Sequence, residues 1–295
     1  MTRPPTTSEP LRISATDGYG LGASVYGPES TGPIVVVNGA TGVRQRYYSR
    51  FAHWLAGQGA TVVTYDYRGI GESRPHRLRG FDARLRDWGR HDYEGVLQFV
   101  RREWPTRPLA IVGHSVGGQI LGQAEGSRFA SRIVTVSSQF GSWNLWPTPS
   151  KLAMASIWFG LMPVVTTTVG YLPGQLGIGE DLPKHVALEW ASWCRSPRYF
   201  LDHGVSEAGY AAISADVLAF SFTDDQLYGP RRAVDALHSL FSGARVDRRH
   251  LAPKEIGAKA IGHFGFFRST FRETLWQQVA AHVLSAPLSP RVAQA

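Results

Sequence analysis

Runs rich in valine and isoleucine recur along the chain at "PIVVVNGA", "TVVTYDYRG", "LAIVGHS" and "RIVTVSSQF", and segments of helical periodicity lie between them, "YYSRFAHWLAGQGA" and "DARLRDWGRHDYEGVLQFVRREW". This rhythm constrains the fold more than any other feature. Strands that read as nearly continuous apolar runs are buried on both faces, and strands that alternate with helices build a parallel sheet with helices above and below it. A glycine closes the first helical pattern and Pro105 ends the second. Ahead of them, "LRISA" and "GASVYG" predict an opening hairpin. The fold class expected is therefore α/β, with a mostly parallel central sheet.

The rhythm breaks at Gly141. From there to about Tyr210 the chain is rich in Trp, Pro and Gly, with one apolar helical stretch around "KLAMASIWFGLM". Period-two strand patterns resume at "VLAFSFTDD", followed by the helix "PRRAVDALHSLF", the strand "ARVDRRHLA" and a last helix from about Phe266 to Leu284. Units on either side of the break complete one sheet, so the expected division is a core over 1–140, an inserted cap over 141–210 and the rest of the core over 211–295.

In an open α/β sheet, ligands bind beyond the carboxyl ends of the strands, so the residues closing each strand are read first. The stretch "LAIVGHSVGG" delivers Ser115 into a tight turn between a strand and a helix, with Gly113 and Gly117 relieving the crowding there. The bare G-x-S-x-G spacing arises roughly 0.3 times by chance in a chain of this composition, so its flanks carry the inference. The same turn leaves the backbone N–H of Val116 at a helix start, where a developing oxyanion is stabilised. A serine needs a base, and the base needs an orienting acid. "AFSFTDDQLYGP" puts Asp224 and Asp225 just past a late strand, and "AIGHFGFF" puts His263 in the loop before the final helix.

With these four segments, "GHSVGG", "YDYRGIGESRP", "DDQLYGP" and "GHFGF", the chain resembles the α/β-hydrolase fold family over nearly its whole length apart from the insertion. It looks nearest to bacterial hydrolases of the serine-esterase and lipase-like branch. The resemblance implies a catalytic triad of Ser115, Asp225 and His263, in the chain order expected of that family, and it favours Asp225 over Asp224. It also places a second oxyanion donor in the loop after an early strand. Here that loop reads "VNGATG", so Asn38 stands where the family has histidine and the backbone N–H of Ala40 is the expected donor beside Val116.

Other classes are excluded or set aside. The net charge of +8 comes from scattered arginines, and the longest basic cluster, Arg245 to His250, is too short for a nucleic-acid stripe. No H-E-x-x-H pair or nucleotide-loop glycine pattern occurs, so neither a metal nor a cofactor is expected. The single cysteine, Cys194, reads as a small buried residue. The N-terminal "MTRPPTTSEPLRIS" lacks the apolar core of a signal peptide, and no run of about 18 uninterrupted apolar residues occurs. The expectation is a soluble cytoplasmic enzyme without stable membrane insertion, acting on a small molecule. Trp143, Trp146 and Trp158 in the insertion are the candidate roof of an apolar substrate pocket. The favoured activity is hydrolysis of a carboxylic ester or thioester. Acyl transfer, a small peptidase activity holding a free amine on Glu180, Asp181 or Glu189, and a non-catalytic binding role use the same features.

Overall fold

The computed structural model describes residues 9–148, 150–177 and 179–285. Most of the segment read for a signal peptide lies outside the described residues. Among the described residues ten strands form, β1 (Glu9–Ser14), β2 (Gly20–Tyr26), β3 (Ile34–Asn38), β4 (Thr61–Tyr65), β5 (Leu109–His114), β6 (Ala130–Val136), β7 (Tyr171–Leu172), β8 (Leu182–Pro183), β9 (Asp216–Phe222) and β10 (Arg245–Leu251). Eight of them make one sheet in the order β1-β2-β4-β3-β5-β6-β9-β10, and β7 and β8 pair separately. The opening hairpin is antiparallel, with Leu11 opposite Ala23, and β2 runs antiparallel to β4. From β4 to β10 every pairing is parallel.

Alternation along the central strands explains the two-sided burial. Val36, Ile111 and Ile133 point to one face, where they pack with Val96, Leu97 and Val100 of the helix Glu94–Glu103. Val35, Val37, Val112 and Val134 point to the other, against Phe51 and Leu55 of the helix Ser49–Gly57 and Leu275, Trp276 and Val279 near the C-terminal end. Successive side chains leave a strand on opposite sides, so a strand covered on both faces has to be apolar throughout.

The helix that follows Ser115 differs from expectation, being only Val116–Gln119 before the chain continues in 3-10 turns. Glycines at 117, 118 and 122 favour that short course. The chain between β6 and β9 forms helical segments that share the core of the sheet, since Trp146, Trp158, Met162, Val186 and Trp193 join the same apolar cluster as Val36 and Ile111. Its longest helix runs from Ser150 to Val169, well past the apolar stretch read from sequence. Met154, Trp158, Met162 and Thr166 form its buried stripe at four-residue spacing, while Leu152, Phe159 and Val164 face outward. By length and composition this helix is apolar enough to cross a membrane, with a mean hydropathy of 1.6. A count of uninterrupted apolar residues does not register it, because Lys151, Ser156 and Gly160 punctuate it.

Candidate active site

Ser115 stands at the end of β5 with φ 53° and ψ −116°, in the positive-φ region that L-residues rarely adopt. Both flanking glycines are sterically required. A Cβ on Gly113 would come 2.7 Å from the backbone nitrogen of Gly118, and one on Gly117 would come 2.2 Å from the carbonyl oxygen of Asn38. The spacing that chance could supply is thus dictated by the tightness of the turn. The Ser115 N–H is tied to the Val136 carbonyl at 2.9 Å, so the elbow hangs from the end of β6.

Asp225 and His263 come together from elements 38 residues apart. His263 Nδ1 lies 2.7 Å from Asp225 Oδ2, and both side chains are at least nine-tenths buried. The carboxylate accepts, so Nδ1 carries the proton and Nε2 is left with its lone pair free. Asp225 also accepts the Gly229 N–H at 3.1 Å. Asp224 has a separate task. Its Oδ2 accepts the N–H groups of Ile261 and Gly262 at 2.8 and 3.0 Å, pinning the loop that carries His263. The two neighbouring carboxylates thus divide the work, one on the ring and one on its backbone.

His114, next to Ser115, is fully buried and makes no claim on the serine. Its Nε2 lies 2.9 Å from the backbone oxygen of His263, which only accepts, so Nε2 carries the proton. Its Nδ1 then accepts from the hydroxyl of Tyr48 at 2.8 Å. Burial pushes the imidazole down to about 3, so this histidine stays neutral. The ring centroids of His114 and His263 are 5.3 Å apart, and the bond from His114 Nε2 ties the loop of His263 to the strand that ends at Ser115.

The same tyrosine meets the other oxyanion candidate. The N–H of Ala40, expected to face the oxyanion, is donated to the Tyr48 hydroxyl at 2.8 Å. Tyr48 is 1% exposed and lies beneath the loop, so this donor points into the core. Sequence spacing could not register a phenol reaching in from a helix-forming segment eight residues on. Among the described residues, the N–H of Val116 has no such competitor. Asn38 does act where the family carries histidine, donating to the Gly117 carbonyl at 3.3 Å and accepting from Tyr65 at 2.9 Å.

A cavity of about 110 Å³ lies near the site, with neither Ser115 nor His263 in its lining. Tyr228 connects cavity and site, lining the cavity with its ring 5.1 Å from that of His263. Trp146 and Trp158 line the wall together with Met154, Leu161 and Trp190. Trp143 is not in that lining and instead packs edge-on to Phe159, with Lys151 over its ring. Cys194 also lines the cavity; burial pushes its thiol up, away from the reactive thiolate. Among the described residues no group of three or more His, Cys, Asp or Glu side chains could hold a metal ion.

The "YDYRGIGES" turn braces the neighbouring loops. Asp66 accepts the Gln45 and Glu72 N–H groups at 2.6 and 2.9 Å, and burial pushes its carboxyl up to about 6. Arg68 is clamped between Asp92 and Asp17, at 2.7 Å from each. Sequence reading missed Tyr48 and the charges at 180, 181 and 189 as structural partners. Glu180 pairs with Arg44 at 2.6 Å, Asp181 with Arg74 at 2.9 Å, and Glu189 with Arg86.

A family model described as "Serine aminopeptidase, S33" matches residues 28–183, just over half the chain, a span that includes Ser115 and ends before Asp225 and His263. Mouse (Mus musculus) monoglyceride lipase is 29% identical over 126 residues. That match spans 41% of this chain and only 40% of that relative's length. Among solved structures, an esterase from Exiguobacterium antarcticum superposes with a TM-score of 0.62 at 18% identity, covering 94% of this chain and 100% of its own. A soluble variant of monoglyceride lipase from Saccharomyces cerevisiae, in complex with a substrate analog, gives 0.63 at 15% identity, covering 97% and 98%. At such identities the structural likeness speaks for the fold, and the family match speaks for descent. The chain belongs to this serine aminopeptidase family and has the α/β-hydrolase fold.

Proposed function

We propose that the protein hydrolyses carboxylic esters or thioesters of small to medium apolar acyl groups or aromatic acids, through an acyl-enzyme on Ser115. The single observation that carries the reading is the buried pair of His263 and Asp225, 2.7 Å apart, on a loop that His114 ties to the strand ending at Ser115. In this mechanism His263 Nε2 takes the Ser115 Oγ proton as the oxygen attacks the carbonyl carbon. The resulting oxyanion is held by the Val116 N–H, and Ala40 joins it only by exchanging its bond to Tyr48. His263 then returns the proton to the departing alkoxide or thiolate, and the C–O or C–S bond breaks. A water, deprotonated by the same nitrogen, releases the acid. Asp225 keeps the imidazole in the useful tautomer throughout.

The apolar cavity that Tyr228 separates from His263 supports the acyl preference, and residues 141–210 act as the cap that roofs it. The monoglyceride lipase and esterase likenesses point the same way. Peptidase action on a free N-terminus, which the family's name suggests, has less support. Such action needs an unpaired carboxylate for the amine, and Glu180, Asp181 and Glu189 are each spent on an arginine. The test is labelling by a fluorophosphonate probe, run beside turnover of p-nitrophenyl and CoA esters graded by chain length. Label on Ser115, and loss of both label and turnover in Ser115→Ala, are expected. A folded wild-type protein that takes no label and cleaves no ester overturns the reading.

A further inference from the structure

The outer side of the helix Ser150–Val169 is apolar and uncovered. Leu152, Phe159, Leu161 and Val164 are between 50% and 66% exposed. Single exposed apolar side chains are ordinary on any protein, but four of this size on one helix form a patch. The patch runs on to the rim of the cavity beneath the helix, because Leu161 lines that cavity together with Leu176, Leu227 and Tyr228, which are exposed as well. Among the described residues, the other large apolar side chains so exposed are Tyr47 and Phe129, and the Arg101 and Arg128 guanidinium groups lie over the Phe129 ring at 3.7 and 4.9 Å. A core helix of such hydropathy is mostly buried, yet only 22% of the most apolar stretch of this one is. Its inner stripe, Met154, Trp158 and Met162, is packed into the core, so the helix lies along the surface of the protein.

The charge around the patch has one sign. Between Glu125 and Glu180 the sequence holds no acidic residue. Cations frame the helix instead. Lys151 in its first turn lies over the Trp143 ring at 4.9 Å, Arg195 lies over the Phe159 ring at 5.8 Å, and Arg79 donates to the Val169 carbonyl at 2.7 Å. None of the three forms a salt bridge among the described residues, while Glu180, Asp181 and Glu189, the acidic residues that follow, are each neutralised by another arginine. An apolar face framed by unpaired cations complements acyl chains beneath anionic headgroups. A second copy of the chain fits poorly, since a two-fold interface sets the same patch against itself and brings these cations toward their own kind. We propose that the helix Ser150–Val169 docks the protein, peripherally and without spanning, on an anionic lipid surface. Its exposed apolar side chains enter the acyl region, and Lys151, Arg79 and Arg195 meet the headgroups. Docking involves no turnover, so the proposal is independent of the ester-hydrolase reading.

The test is co-sedimentation of the full chain with vesicles of phosphatidylcholine alone, and of phosphatidylcholine and phosphatidylglycerol in equal parts, beside size-exclusion chromatography without lipid. Wild type should bind the mixed vesicles about tenfold or more tightly than the neutral ones, and added salt should release part of it. The double substitution Phe159→Glu and Val164→Glu should lower partition onto the mixed vesicles by about tenfold or more, and Lys151→Gln by about fivefold. Phe129→Glu, at the start of β6, should bind as wild type does. Unchanged melting temperatures check that the variants fold, and Lys151→Gln with the salt dependence decides the matter if the double variant does not. The proposal is overturned if wild type stays in the supernatant with both vesicles, if the neutral ones bind it equally well, or if the folded double variant binds undiminished. A dimer on the lipid-free column that the same glutamates dissolve, with no vesicle binding, overturns it in favour of self-association. A wild-type protein that binds the mixed vesicles but cleaves no ester would sink the catalytic reading alone.

Discussion

The ends of the central strands and the segment between β6 and β9 differ in how their buried polar groups are paired. Around the strand ends several such groups are spent on one another, although the Thr41 and Ser137 hydroxyls are unpaired among the described residues. Asn38 bridges Gly117 and Tyr65, Gln45 holds Asp66 and Thr64, and His114 links Tyr48 to the backbone of His263. In the segment between β6 and β9, Trp158, Trp193 and Thr166 carry polar atoms unpaired among the described residues, and Leu152 and Val164 are 66% and 61% exposed. A satisfied network is rigid and specifies one geometry, which acid–base chemistry at a fixed distance requires. The difference is between polar groups paired with one another at the strand ends and polar groups left unpaired in the segment after β6.

The sharpest way to break that contrast lies in the neighbouring carboxylates. Asp225→Asn should cut kcat/KM for an ester by roughly three to four orders of magnitude, because the amide no longer holds the working tautomer of His263. Asp224→Asn only loosens the loop behind the ring, and a loss of roughly ten- to hundredfold is expected. Equal losses in steady-state assays would mean that the two residues do not divide the work as described.

A second comparison measures stability. Tyr48→Phe leaves the Ala40 N–H and His114 Nδ1 unpaired in the core, and chemical denaturation should register a loss of roughly 2–5 kcal/mol. Gln139→Met deletes an acceptor that has no partner, so its unfolding free energy should stay within about 1 kcal/mol of wild type or rise. Comparable losses in both proteins would erase the distinction between the two regions.

The smallest effect concerns Asp66. Burial raises this carboxyl, so the folded protein keeps its proton to higher pH than the unfolded chain does. Its contribution to stability is therefore full below about pH 4 and declines as the pH rises through about 6. Relative to wild type, Asp66→Asn should gain in melting temperature across that window. A difference that stays flat from pH 4 to 7 would show that the carboxyl does not titrate there.

The parts of the fold legible in the sequence are those governed by local periodicity. Val35 to Val37, Ile111 to Val112 and Ile133 to Val134 announce two-faced burial without reference to any partner, and the parallel order follows from the helices between them. The elbow at Ser115 was legible for the same reason, since Gly113 and Gly117 meet steric demands set within a few residues of it. The length of the helix Ser150–Val169 was harder to read, because its buried stripe of Met154, Trp158, Met162 and Thr166 is defined by what lies underneath.

Contacts across long separations were not legible. Asp224 and Asp225 are chemically identical neighbours, and only the approach of the loop at 261–263 assigns one to backbone and the other to the ring. Ala40 has a free N–H in any sequence reading, until Tyr48 arrives from below to take it. The three acidic residues at 180, 181 and 189 look available until arginines from three other segments claim them. By itself the sequence determined the sheet, the tight turn and the kinds of side chain that gather at the strand ends, because backbone sterics and burial act residue by residue. Which hydrogen bond each of those groups makes was decided only by the tertiary structure, because a donor's partner depends on which distant segment comes within about 3 Å of it.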